Sequence, residues 1–227
     1  MLVRLFENDR ILAVNKPTGT PSVSLSHSRD KSMEDEVVRE FPLAPPQLLH
    51  RLDTGTSGVL LFAKDPITFD EMRLKFKHRM IQKDYWAFVR APAPLPRAFE
   101  LPRVIRVPLG HHPKSKKRMI PLPEGLRRSI RGKPLPAETW IHQCQPGAFF
   151  EQDCLRLNIE ITTGVMHQIR VHLAYIGMPI LGDPLYGKPK EPPATLRLGL
   201  HARNIGFELG GFRYSIEAPI EGWRAKS

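Results

Sequence analysis

The segment Gln47–Gly58 reads QLLHRLDTGTSG and runs directly into the apolar stretch Val59–Ala63. It pairs a His50, Arg51 and Asp53 cluster with small hydroxyl residues and glycines. A rigid strand can fix such a polar constellation at its rim. Asp53 lies two residues from Arg51, and neighbouring glycines let a substrate approach the backbone, so the carboxylate could serve as nucleophile or base. The same residues could equally form a structural turn, with Asp53 capping it through Thr56 and Ser57. Residue types alone leave both readings open.

A second segment, Gly164–Leu173, reads GVMHQIRVHL. On a helix, His167, Arg170, Val171 and Ala174 would share one face. Arg170 could then aim at a buried carboxylate, keep it ionised and orient it, or form a surface ion pair that contributes about 0–1 kcal/mol. His167 and His172 are five apart rather than four, which argues against a metal-binding helix. In a third segment, KDYWA, Tyr85 opens a strand. Its ring could stack on a nucleobase, a contact of roughly 1–3 kcal/mol, or pack in the core.

The elements that must position these residues follow from periodicity. Strict alternation over Leu155–Ile161 predicts a strand with one face inward. Gly210-Gly211 between Phe207–Leu209 and Phe212–Ile216 predicts a two-residue hairpin. Ile11–Val14, Gly58–Ala63 and Tyr85–Val89 read as further strands, the second central because it is apolar on both faces. Asp65-Pro66 offers a cap and a first-turn proline for a helix burying Phe69, Met72, Phe76 and Met80. A weaker helical pattern over 31–40 places Met33, Val37 and Phe41 four apart. A third helix is expected from about Val165 to Ile176, with Gly177 closing it. No β-α-β repeat appears, so the fold class is α+β.

The chain has 227 residues, enough for one domain or two closely packed halves. No apolar run approaches the roughly 20 residues of a membrane span. The N-terminus lacks a signal-peptide layout. Cys144 and Cys154 have no zinc or disulfide spacing, as expected of a cytoplasmic protein with free thiols. The net charge is +11, and Arg103–Lys133 holds ten Lys and Arg against the single acid Glu124, so +9 falls in 31 residues. Such a concentration is the electrostatic footprint of nucleic-acid binding. The stretch Pro92–Pro136 also holds ten of the 23 prolines and reads as an extended, stiff insertion between strands.

The motifs occur together in a known family. HRLDTGTSG resembles the HRLDxxTSG motif of the RluA-type pseudouridine synthases, and LLFAK continues it. KDYWAFV resembles that family's K-x-Y-x-A-x-V strand, HQIRVHLAYIGMPILGDPLYG its C-terminal signature, and RLGLHA its R-L-x-L-H-A. FENDRILAVNKPTGTPS resembles the family's first strand and Lys-Pro-x-Gly turn, and LGHHPKSKKRM its basic insertion. The resemblance runs from about residue 3 to 219.

It implies a pseudouridine-synthase fold: a mainly antiparallel mixed sheet with flanking helices and a long basic insertion, in a single catalytic domain over 1–227. It further implies isomerisation of uridine in ribosomal or transfer RNA, without cofactor or metal; a monomer is the default expectation. Asp53 would be the catalytic aspartate, Tyr85 the active-site tyrosine and Arg170 the arginine paired with Asp53. Arg51 would enter the stack vacated by the flipped nucleotide. His167, Gln168, Lys114, Lys116, Lys117 and Arg118 are the further expected RNA contacts. The family usually reads G-R-T-H-Q-I-R where this chain has Val165 and Met166, so local RNA contacts are expected to differ. No S4-like RNA-binding domain is expected, which leaves RNA grip to the catalytic domain. The rival classes are a non-catalytic structured-RNA-binding protein, which could dispense with Asp53 or Arg170, and a metal-dependent nuclease, which would need clustered carboxylates or histidines.

Overall fold

A computed structural model describes residues 2–24, 31–41, 44–90, 101–187 and 197–225. Its first half runs β1 (Arg4–Glu7), β2 (Ile11–Lys16), α1 (Met33–Glu40), β3 (Gln47–Leu48), β4 (Ser57–Ala63), α2 (Pro66–Lys77) and β5 (Gln82–Val89). The second half continues with β6 (Arg103–Ile105), β7 (Leu109–His111), β8 (Met119–Pro121), β9 (Arg131–Leu135), β10 (Thr139–Phe149) and β11 (Gln152–Ile161). It ends with α3 (Gln168–Tyr175), β12 (Leu200–Leu209), β13 (Phe212–Glu217) and β14 (Trp223–Ala225). The class is α+β, as the patterning predicts. The chain divides into two compact units: residues 1–84 with 200–221, and 85–199 with 222–227.

In the first unit, β2 pairs antiparallel with β1 and with β4 over its whole length. Every residue of β4 is buried, which makes it central. β12 meets β4 in a short parallel ladder, His201 opposite Ser57 and Ala202 opposite Gly58, and then turns into β13. The turn carries Gly210 at φ 58° and Gly211 at φ 80°, which only glycine adopts freely in succession. Ile11, Val59, Leu61, Met72, Ile205 and Phe207 form the core, with Phe69 and Phe76 of α2 packed against it. Asp65 caps α2 by accepting from the Thr68 amide. The helix stops at Lys77, however, and Met80 is 63% exposed beyond it. Arg79 at φ 58° turns the chain out of the helix, so the fourth position of the expected stripe never reaches the core. α1 begins with a capping box between Ser32 and Asp35 and buries Met33 and Val37.

In the second unit, β11, β10 and β14 follow β5 in order, and β6 also pairs with β10. Trp223 of β14 lies over Gly147, where a Cβ would come within 2.2 Å of the indole. Arg156 stacks between the rings of Trp86 and Trp223, at 4.5 and 5.0 Å. The described part of the insertion is more than an extended connector. β7, β8 and β9 form a separate three-stranded antiparallel sheet, and Pro92, Pro94 and Pro96 lie outside the described residues. Leu109, Met119 and Ala137 anchor this sheet to Val171 of α3, with Val165 and Met166 packed against the same cluster. The two residues that depart from the family motif are thus apolar packing groups.

Candidate active site

Asp53 sits in a loop clamped from residue 16 onwards. Leu49 donates to the Leu61 carbonyl at 3.0 Å, so the approach to the loop rides on β4. The Leu61 amide in turn donates to His50 Nε2 at 3.2 Å, and the His50 ring stacks on Phe76 at 5.3 Å. Burial, and secondarily Lys83, pushes the imidazole pKa down to about 3, so His50 is a neutral structural acceptor. Ser22 Oγ donates to the Leu52 carbonyl at 2.9 Å and accepts from the Leu52 amide at 3.0 Å. Thr18 donates to the Gly55 carbonyl, and the Gly19 amide to that of Thr54. The buried Lys16 ammonium donates to the carbonyls of Pro17, Thr20 and Thr54 at 3.0, 2.6 and 3.1 Å. Burial pushes Lys16 down to about 8, and the nearby Asp53 carboxylate opposes that fall.

The loop leaves through Ser57 and Gly58, which meet β12. Gly58 has φ 116°, and a Cβ there would lie 2.1 Å from the Ala202 carbonyl oxygen. His201 donates from Nε2 to the Ala218 carbonyl at 3.1 Å, so its Nδ1 accepts from the Ser57 hydroxyl at 2.9 Å. The Thr-Ser-Gly and Leu-His-Ala motifs therefore form one junction. The outcome is a fixed backbone, with Arg51 exposed and Asp53 half-buried. Residue types alone do not mark Lys16, Thr18, Ser22 and His201 as site residues. Their only sequence signal is membership of the quoted motifs, because their bonds span tens of residues.

Arg170 is 5% exposed and bonds Asp183 through two parallel contacts, Nε–Oδ2 and Nη2–Oδ1, each 2.8 Å. Asp183 Oδ1 also accepts from the amides of Leu185 and Tyr186 at 2.8 and 3.0 Å. Burial alone would raise the Asp183 pKa. The hydrogen bond and charge of Arg170, with the two amides, outweigh it and hold the carboxyl below the usual range. Gly187 turns back tightly here, since a Cβ would lie 2.5 Å from the Asp183 carbonyl oxygen. Tyr186 OH accepts from the Met119 amide at 2.8 Å and shares a hydrogen bond with His167 Nδ1 at 2.9 Å. The Tyr186 ring also packs by the guanidinium of Arg170 at 5.3 Å and of Arg118 at 5.6 Å.

The helix is shorter than expected. His167 is its left-handed N-cap at φ 56°, so it does not share a helical face with Arg170. Gln168 explains the start. It is buried, accepts at Oε1 from Thr163 Oγ1 and the Val165 amide, and donates from Nε2 to the Glu138 carbonyl and Thr139 Oγ1. Both faces of the amide are thereby satisfied within the protein. Tyr85 is 9% exposed, on the face of β5 opposite Trp86.

Comparison with known proteins decides what these motifs belong to. Residues 10–175 match the family model for RNA pseudouridylate synthase. The chain belongs to that family. Its function is accordingly that of an RNA pseudouridine synthase, an isomerase. The dual-specificity RNA pseudouridine synthase RluA of Escherichia coli K12 is 33% identical over 225 residues, covering 97% of this chain and 94% of the relative. An uncharacterised RNA pseudouridine synthase of Synechocystis is 29% identical over 214 residues, covering 89% and 67%. In fold, the synthase is similar to human RNA pseudouridylate synthase domain containing 1, with TM-score 0.81 and 22% identity over 100% of this chain and 89% of that one.

The basic insertion of the synthase presents its charge outward. Lys114, Lys116, Lys117, Arg118, Arg127, Arg128, Arg131 and Lys133 are all exposed. Arg118 donates to the Leu185 carbonyl and Arg131 to those of His112 and Ser115, so these two brace the small sheet. Arg106 pairs with Glu138 at 2.6 Å. Lys114, Lys116 and Lys117 lie in the β7–β8 turn with no ion pair to a described residue. Among the described residues, no helix is long and apolar enough to cross a membrane.

Proposed function

We propose that Asp53 is the catalytic group of this synthase, acting on a uridine of ribosomal or transfer RNA in the cytoplasm, in a monomeric enzyme. The observation that carries the assignment is the clamp around its loop: the backbone of 52–55 is bonded to residues 16–22, while the carboxylate side remains half-buried at the rim. Preorganisation of this kind keeps a reacting group in place without cost at the moment of reaction. The RNA classes are those that the name of the relative RluA suggests.

The reaction breaks the N1–C1′ bond, rotates the uracil and joins C5 to C1′. The C5 proton is released and N1 gains one, so mass is unchanged. A stacked uridine must first be extruded, at a cost of a few kcal/mol. In this reading the exposed Arg51 fills the gap and Tyr85 receives the base. Asp53, with Arg170 as the arginine that the motif register assigns to it, then either attacks C1′ or removes the C2′ proton to give a glycal. The motif register and family membership support these roles. Gln168, with its amide fully engaged, serves to position α3, and His167 is held beside it by Tyr186.

Tritium release from C5-labelled RNA tests the assignment. Asp53→Asn should fold normally and release none above background. Undiminished release would overturn it.

A further inference from the structure

Residues 73–83 read RLKFKHRMIQK, five Lys and Arg without an acid. The overall charge hides this run, because Glu34, Asp35, Glu36 and Glu40 of α1 offset it. It forms the C-terminal half of α2 and the turn into β5. Arg73, Lys77, His78 and Arg79 are exposed, and so are Leu74 at 55% and Met80 at 63%. Cations favour a helix C-terminus, which accounts for Lys75 and Lys77, and Lys75 is paired with Glu71 at 3.4 Å. That effect does not account for Arg73, nor for Arg79 and Lys83 beyond the helix.

Arg79 is held at φ 58°, a region that side-chain-bearing residues other than Asn, Asp and His seldom adopt. Lys83 follows with Arg79 in electrostatic reach; burial first, then that neighbour, lowers its ammonium pKa. The exposed Arg73, Lys77 and Arg79 put three cations at this end of α2, and an anion brought from outside would be attracted to them. The position also matters. Phe76 of this run stacks on His50, and Lys83 acts on the same ring. Arg51 and Asp53 are the next polar residues along the loop.

We propose that Arg73, Lys77 and Arg79, flanked by the exposed Leu74 and Met80, form a second phosphate-binding surface that grips the RNA strand running to the target uridine. Its residues are not those of the β7–β8 turn. Only the statement that the strand carries the target rests on the assignment of Asp53; the contact itself does not.

The test uses full-length Asp53→Asn protein and bulk transfer RNA as the probe, with binding measured across about 50–200 mM salt. Each lost phosphate contact makes the log–log salt slope shallower by about 0.7–0.9. Arg73→Gln/Lys77→Gln/Arg79→Gly should therefore flatten it by about two and weaken binding by at least about tenfold at the lower salt. Arg79→Gly alone suits the left-handed backbone, so its urea midpoint should equal or exceed that of the parent. It should still flatten the slope by about one contact. If both variants fold and keep the parent affinity and slope, the surface is wrong. Because the isomerisation-blocked parent serves throughout, this result is independent of the tritium assay on Asp53.

Discussion

Replacing Asp183 by Asn tests the reasoning about Arg170 most directly. The shape is preserved and one oxygen can still accept from the Leu185 and Tyr186 amides and from Arg170 Nη2. The other position becomes an NH2 facing the Nε–H of Arg170, two donors where Oδ2 had accepted at 2.8 Å. Arg170 is 5% exposed, so water cannot replace the lost partner. Breaking a buried pair from one side costs up to about 3–5 kcal/mol, because the guanidinium stays buried while its bidentate carboxylate becomes a neutral amide. For a chain of this size each kcal/mol moves the midpoint by about 2–4 °C, which gives a fall of about 6–20 °C. Thermal unfolding followed by circular dichroism measures it. The double variant Arg170→Met/Asp183→Asn removes the buried guanidinium while the Asn oxygen still accepts from the Leu185 and Tyr186 amides, and it should recover most of the loss. The pH dependence has a definite sign. The folded pKa of Asp183 is depressed, so its stabilisation is present above the ordinary carboxylate value near 4 and fades as pH falls through the lower folded value. Below about pH 4 the gap between parent and Asp183→Asn should therefore narrow. An Asn variant within about 1 kcal/mol of the parent, or a double variant no better than the single, would refute the pair as a buried charge clamp.

Two further outcomes follow from the same physics. Lys16 loses its proton at about 8 in the folded chain against 10.5 when exposed, so between those values the unfolded chain binds more protons and stability rises with pH. Urea unfolding across that window should show a gain of about 3 kcal/mol that Lys16→Met lacks; equal slopes would remove the buried ammonium from the account. In the insertion, Lys114→Glu/Lys116→Glu/Lys117→Glu should flatten the salt dependence of RNA binding by about two to three contacts, with the unfolding midpoint within about 0.5 kcal/mol of the parent because these side chains are exposed. Unchanged binding would mean that the turn is merely solvated.

Local chemistry was legible where one segment determines its own structure. Gly210-Gly211 set the hairpin because two successive positive φ angles need no outside partner. Asp65-Pro66 started α2 through a cap that reaches only to Thr68. The doubly apolar run at 58–63 announced a central strand, and β4 is buried throughout. The motifs also fixed the family, since several of them stand in register along one chain.

Other features depended on residues far apart in sequence. Thirty residues separate Ser22 from Leu52, and no period or propensity records that clamp. His167 carries a helical pattern, yet the side chain of Gln168, anchored to Glu138 and Thr139, starts α3 one residue later. Met80 fits the apolar stripe of α2 but falls beyond the turn at Arg79. The sequence by itself determined the class of fold, the central strand and the motif that carries Asp53. Tertiary structure alone decided that residues 16–22 hold that motif's loop, that Asp183 pairs with Arg170, and that the insertion is a sheet anchored to Val171, with Val165 and Met166 against the same cluster. The physical reason is that hydrogen bonds and charge pairs between distant segments satisfy donors that no local pattern can assign.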